Sequence, residues 1–349
     1  MSGRSDWKQA VAAAILAVAT LAGAAAQADP ADPTVYLDRS GDRDQRLLEG
    51  ARREGTLVLY TSLATTEAVP IIGAFERKYG VKVQLWRALS ENILQRTVAE
   101  ARARRNDVDV VETNSPEVEA LAREGLTAQF FSPHVADLHP WAMPSHRLWI
   151  SDRVDLRVAA FNTGKVRRDE LPATYEGFAE PKWKGRIAVE AGDYEWLGAL
   201  VKYWGEERGL AFARALSALK PDVRKGHVLL AQLVGAGEVP LALTAYSGNA
   251  ESIKRKGGPV DWAAVEPLVG RLQAVALARR APHPHAALLF ADFLLSPAGM
   301  GLLQEMGRVP TARAMPTALD TTKYVLVDPA QPREQALRWQ RIWKELFLK

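Results

Sequence analysis

The stretch Glu54–Val83, EGTLVLYTSLATTEAVPIIGAFERKYGVKV, constrains this chain more than any other. A short apolar run, Leu57 to Tyr60, stops at a hydroxyl turn, Thr61-Ser62. An amphipathic helix pattern follows, and then a second β-branched run, Val81 to Val83. This is the signature of a β-α-β unit. Its first strand ends where a helix begins, and a helix N-terminus offers free N–H groups and a positive dipole end. Neither a glycine fingerprint nor a Walker lysine is present, which argues against a nucleotide. Thr61, Ser62 and Thr65 are candidate donors to some other ligand.

Residues 1–28 read as a secretory leader. Arg4 and Lys8 form a basic start, Ala10 to Ala26 an apolar alanine-rich stretch, and Ala26-Gln27-Ala28 a cleavage pattern. No later segment holds about 20 uninterrupted apolar residues, so no stable membrane insertion is expected. The sequence has no cysteine, which excludes disulfides, thiolate metal sites and cysteine nucleophiles. It also excludes a lipid-modified cysteine at the cleavage site. Export of a soluble product to the periplasm is the expectation.

Without the leader the chain is long enough for two domains. The net charge is only +4. Its densest basic cluster, Arg102-Ala103-Arg104-Arg105, closes a helix predicted from Ser90, where cations suit the negative helix end. No nucleic-acid partner is expected.

Strands are predicted at Val108 to Val111, Val154 to Phe161, Arg186 to Val189 and Pro240 to Thr244. Helices are predicted over Glu117 to Glu124 with Ser115 as N-cap, Tyr194 to Trp204, Val228 to Ala236, Pro284 to Leu295, and from Ser296 to Gly307. Three strand ends share one pattern: Thr61-Ser62, Thr113-Asn114-Ser115 and Thr244-Ala245-Tyr246-Ser247 each follow an apolar run. Ligands of open α/β sheets bind outside the carboxyl ends of strands. Three such ends imply one shared cleft.

At this point the sequence resembles the periplasmic solute-binding proteins of ABC transporters, in the ferric-iron-binding-protein-like group of the type 2 periplasmic binding proteins. The resemblance rests on EGTLVLYTSL (54–63), AFERKYGVKV (74–83), DVDVVETNSPEVEALAREGL (107–126), PATYEGFAEPKWKGRIAVE (172–190), LLAQLVGAGEVPLALTAYS (229–247) and PHPHAALLFADFLLSPAG (282–299). It implies an α/β clamshell of two domains, each a mixed sheet flanked by helices. Domain I would take 29–153 and 265–349, and domain II 154–264. Two hinge strands would join them, near Arg157 to Phe161 and near Leu268 to Ala278. It further implies a monomer that captures a small-molecule ligand between the domains and delivers it to membrane permease subunits.

Iron binders of the group use two adjacent tyrosines of the second domain, and hard Fe(III) favours such anionic oxygen donors. This chain has Ala245-Tyr246 there, Leu63-Ala64-Thr65-Thr66 after the first strand, and Asn114 near the place of a glutamate, with Glu112 and Glu117 close by. The expectation is therefore an organic solute or oxyanion, with ferric iron as the alternative. No metal and no cofactor is assigned.

The candidate ligand-binding set is Thr61, Ser62, Thr65, Arg87, Thr113, Asn114, Ser115, Asp193, Tyr194, Trp196, Tyr246 and Ser247. Arg87 either grips an anion bidentately or pairs with Glu91. Asp193 accepts from a ligand or simply caps a helix. Trp196 is either a stacking platform or core. His283 and His285 have chelating spacing but lead into an apolar helix, which favours a structural role. There is no G-x-S-x-G and no H-E-x-x-H, so an enzyme is not expected. A periplasmic sensor subunit remains a second alternative to transport.

Overall fold

The computed structural model describes residues 33–348, and the expected leader lies outside the described residues. The leading β-α-β unit forms as read. Strand β1 (Thr56–Thr61) runs into the Thr65–Tyr79 helix, which returns to β2 (Lys82–Arg87), parallel to β1. Gly80 ends that helix at φ 76°, a left-handed turn that costs glycine little. The Ser90–Arg102 helix leads to β3 (Val110–Asn114), which pairs parallel with β1.

Asn114, not Ser115, is the N-cap of the next helix, Ser115–Arg123. After β4 (Thr127–Ala128) comes the longest strand, β5 (Ile150–Asn162). Then follow β6 (Ile187–Glu190), helices Tyr194–Trp204 and Glu206–Ala218, and β7 (Asp222–Arg224). Helix His227–Ala236 precedes β8 (Leu241–Tyr246), and helix Ser247–Arg255 precedes β9 (Val260–Ala263). Strand β10 (Leu268–Ala278) comes next, followed by the apolar helices Pro284–Leu295 and Pro297–Glu305. The chain closes with β11 (Val309–Pro310), β12 (Tyr324–Leu326) and helix Arg333–Phe347.

The strands form one mixed sheet with central order β2-β1-β3-β10-β5-β8-β6-β7. The long antiparallel pair β10 and β5 joins the parallel set β1–β3 to the set β6–β8. The hinge strands that the resemblance implies, near Arg157 to Phe161 and Leu268 to Ala278, fall within β5 and β10.

Side-chain alternation divides the sheet into faces. On one face, a core built on Leu59, Phe75, Val275 and Phe290 lies over β1 and β10. On the same face, a second core of Phe161, Val189, Trp196, Leu243 and Trp343 lies over β5, β6 and β8. The opposite face carries the cores around Val111, Val154, Leu156 and Leu272 and around Ala188, Leu230 and Ala242. The helix Arg333–Phe347, expected with the first half, packs Trp339, Trp343 and Phe347 into the Trp196 core of the second.

Among the described residues no single helix is long and apolar enough to cross a membrane.

Candidate ligand-binding cleft

Between the two cores of the first face the sheet carries charge instead of hydrocarbon. Residues Arg153, Asp155 and Arg157 alternate along β5 with Val154, Leu156 and Val158, which point into the opposite core. Across the pair, Gln273 stands opposite Arg153 and Arg271 opposite Asp155. Period-2 alternation therefore sets these five polar side chains in one patch. Arg153, Asp155, Arg157 and Gln273 are buried, and Arg271 is nearly so.

A buried charge needs a partner, and each guanidinium has one. Arg153 donates to Glu112 at 2.6 Å and to Asp152 at 2.8 Å. Arg157 donates through Nε to Asp193 at 2.9 Å. Arg271 lies 3.2 Å from Glu195 and 3.6 Å from Glu117. Gln273 donates to Asn114 and to Asp155, each at 2.9 Å. Arg308, just before β11, donates to Glu67 at 2.6 Å, to Asp155 at 3.4 Å and to Asn249 at 3.3 Å. It thereby links the Thr65–Tyr79 helix to the Ser247–Arg255 helix across the patch.

The pairing is incomplete. Among the described residues, Arg153 Nε, Arg157 Nη1, Asp152 Oδ1, Asp193 Oδ2, Glu117 Oε2 and Ser115 Oγ are buried without a hydrogen-bond partner. Buried polar atoms are seldom left so. Donors on Arg153 and Arg157 and acceptors on Asp193 and Glu117 are thus left over around the patch, which suits a ligand that offers both.

Local electrostatics follow from burial. The Glu112 carboxyl is pushed up to about 7, chiefly by desolvation, against the pull of Arg153. Burial also raises Glu117, opposed by Arg271. The Tyr246 phenol is raised by burial, opposed by Arg157 and Arg271. Burial lowers His227, opposed by Asp193 and Glu190.

The structure gathers some expected site residues and sets others aside. Asn114, Ser115, Asp193, Tyr246 and Ser247 lie at the ends of β3, β6 and β8, around the patch. Tyr246 pairs with Arg157 in register, and its ring stacks on His227 at 3.7 Å. Ser62 is half-buried beside the Glu112 carbonyl, to which it donates its N–H at 3.1 Å. Thr61 is buried, but its hydroxyl already donates to Glu112 and accepts from Leu63 N–H, so it braces the turn. Thr65 is exposed on the first turn of its helix. Arg87 is exposed and donates to the Leu63 carbonyl at 3.2 Å, not to Glu91.

Thr113 alternates with Glu112 and Asn114 and so points to the other face of the sheet. Tyr194 is half-buried against the core that holds the C-terminal helix. Trp196 is core: its ring meets Tyr175, Phe212 and Trp343 edge-on at 5.2, 5.8 and 6.1 Å. His283 and His285 each sit on a separate carboxylate, Asp109 at 2.9 Å and Glu54 at 2.7 Å.

The residues that sequence reasoning missed are Arg153, Asp155, Arg157, Arg271, Gln273, Arg308 and His227. The alternation Arg153-Val154-Asp155-Leu156-Arg157 in a strand was the available signal. Arg308 and His227 carry no local pattern.

The model of one protein family, described as bacterial extracellular solute-binding protein, matches residues 57–309. The chain belongs to this family. It is accordingly a binding protein, not an enzyme. The solute-binding protein is 26% identical over 283 residues to the "Iron uptake protein A1" of Synechocystis sp., an alignment covering 74% of this chain and 76% of that protein. Its fold matches iron-bound HitA from Pseudomonas aeruginosa with a TM-score of 0.72 and 24% identity, over 82% of this chain and 99% of that one. It matches equally, at 0.72 and 20% identity, the periplasmic binding protein AfuA of Actinobacillus pleuropneumoniae with fructose-6-phosphate bound, over 84% and 99%. The fold is the two-domain clamshell of these proteins, and the charged patch lies on the strands that connect its halves.

Proposed function

We propose that the protein is the periplasmic receptor of an ABC importer, taking a small organic solute with an anionic group and delivering it to the permease. The halves that close on it are 33–153 with 265–332, and 154–264 with the helix 333–347. The carrying observation is the row Arg153, Arg157 and Arg271, buried or nearly so, each of which keeps a buried N–H without a hydrogen-bond partner. A fixed guanidinium fork matches a carboxylate or phosphate bidentately. The orphan oxygens of Asp193 and Glu117 suit hydroxyl or ammonium groups on the same solute. Ligand held from both halves favours the closed state.

Ferric iron is the second reading, supported by the names of relatives such as the Synechocystis protein. The site offers it little. One phenol, Tyr246, faces the patch, its neighbour is Ala245, and Tyr194 lies in another core. The guanidiniums of Arg153, Arg157, Arg271 and Arg308 gather at the same patch, and their charge opposes a trivalent cation there.

The test is thermal unfolding of chelator-treated protein with sugar phosphates, phosphonates, dicarboxylates or ferric citrate. A bound solute raises the midpoint by mass action. An organic anion should raise it, and Arg157→Met should abolish that rise. A response to ferric citrate alone, with a phenolate charge-transfer colour, would overturn the organic reading.

A further inference from the structure

At the second half's side of the cleft lies a group of which the solute reading uses only the Asp193 carboxylate. One ligand atom from each of Glu190, Asp193 and His227 falls within 4.8 Å of the others. They come from three places: the end of β6, the turn after it, and the first residue of the His227–Ala236 helix. We infer that this triad is a binding site for a divalent first-row transition metal ion.

The donors are already oriented, as ligands of a built site are. Glu190 accepts N–H bonds from Gly192 with one oxygen and from Gly226 at 2.8 Å with the other. It thus ties together the two loops that carry Asp193 and His227. A carboxylate oxygen keeps a further lone pair after one such bond. Asp193 is 1% exposed; Arg157 fixes its Oδ1, and its Oδ2 has no partner. The Nδ1 of His227 is also buried and unpartnered, and the ring is held flat against Tyr246.

Donors about 2.1 Å from a tetrahedral ion sit about 3.4 Å apart, so the triad needs roughly an ångström of side-chain movement to close. One imidazole and two carboxylates make a mixed N/O set, suited to Zn(II), Fe(II) or Mn(II). Charge agrees. Two carboxylates against the Arg157 guanidinium leave about one net negative charge in the empty site. A divalent ion turns that positive, facing the row that holds the solute's anion. The remaining coordination positions are open to water or to that anion.

The experiment is titration of chelator-treated protein with Co(II), followed by its visible d–d absorption, and then displacement by Zn(II). No organic solute is present, so the result is independent of the solute assignment. One equivalent should bind. His227→Asn should weaken binding at least tenfold, and His285→Gln, remote from the triad, should not change it. Asp193→Asn leaves Arg157 unpaired and risks unfolding. Glu190→Gln, checked by circular dichroism, therefore serves as the second variant and should also weaken binding. Absence of Co(II) binding at millimolar concentration, or equal binding by His227→Asn, would overturn the inference.

Discussion

The buried Glu112 carboxyl should make the stability of this protein fall as pH rises through neutrality, and Glu112→Gln should remove that fall. The carboxyl is 1% exposed and sits between the Thr61 hydroxyl and Arg153, with Asp152 competing for the same guanidinium. Desolvation holds its folded pKa at about 7, against an ordinary 4.5. The sign follows from linkage. The folded protein holds this proton more tightly than the unfolded chain, so the contribution is complete below about 4.5 and is lost as pH passes 7. At about 1.4 kcal/mol per pKa unit, the full swing is about 3 kcal/mol. Urea unfolding at pH 5, 6, 7 and 8, read from tryptophan fluorescence, measures it. The wild type should lose about 2–3 kcal/mol relative to Glu112→Gln across that range. Two parallel pH profiles would refute the reasoning, because the amide cannot titrate.

Two other substitutions probe how the cleft is held. Arg308→Ala removes the one guanidinium that reaches Glu67, Asp155 and Asn249 together. It should raise the solute-free radius of gyration in small-angle scattering and weaken solute affinity severalfold; superimposable curves with unchanged affinity would sink the idea. Trp343→Ala deletes a fully buried ring whose Nε1 donates to the Ala191 carbonyl at 2.8 Å. It should cost about 3–5 kcal/mol in urea unfolding and also weaken ligand binding, since Ala191 precedes Asp193; a variant with native stability would contradict the packing.

Much of the scaffold was legible because it obeys simple periods. The run Leu57–Tyr60 became β1, and the helices Tyr194–Trp204 and Pro284–Leu295 have the bounds their apolar patterns give. Boundaries drifted where a polar residue can either cap or begin a helix, as at Asn114 and Ser115. The cleft was half legible. Strand-end residues Asn114, Asp193 and Tyr246 were reachable from the rule that ligands bind at strand ends. The patch was not, because Arg153, Asp155 and Arg157 on a strand read as solvent-facing, and only the tertiary fold reveals that they are buried. Trp196, read as either a stacking platform or core, is core, because its place on the helix turns it away from the cleft. His227 lies 34 positions beyond Asp193, and no local spacing rule spans two helices and a strand.

The alternation along β5 also limits how this receptor can change its ligand over evolution. Inserting or deleting one residue between Ser151 and Val158 would exchange the two faces of the strand. Arg153, Asp155 and Arg157 would enter hydrocarbon, and Val154, Leu156 and Val158 would enter the cleft. Length variation there is disfavoured by folding unless a β-bulge absorbs it, as one already does at Asp152. Descendants of this chain can acquire new specificities by exchanging side chains at alternate positions, or by remodelling the loops at 62–64, 191–193 and 225–226. Gaps in an alignment of such receptors should therefore cluster in those loops and avoid the two connecting strands, even where the bound solutes have nothing in common.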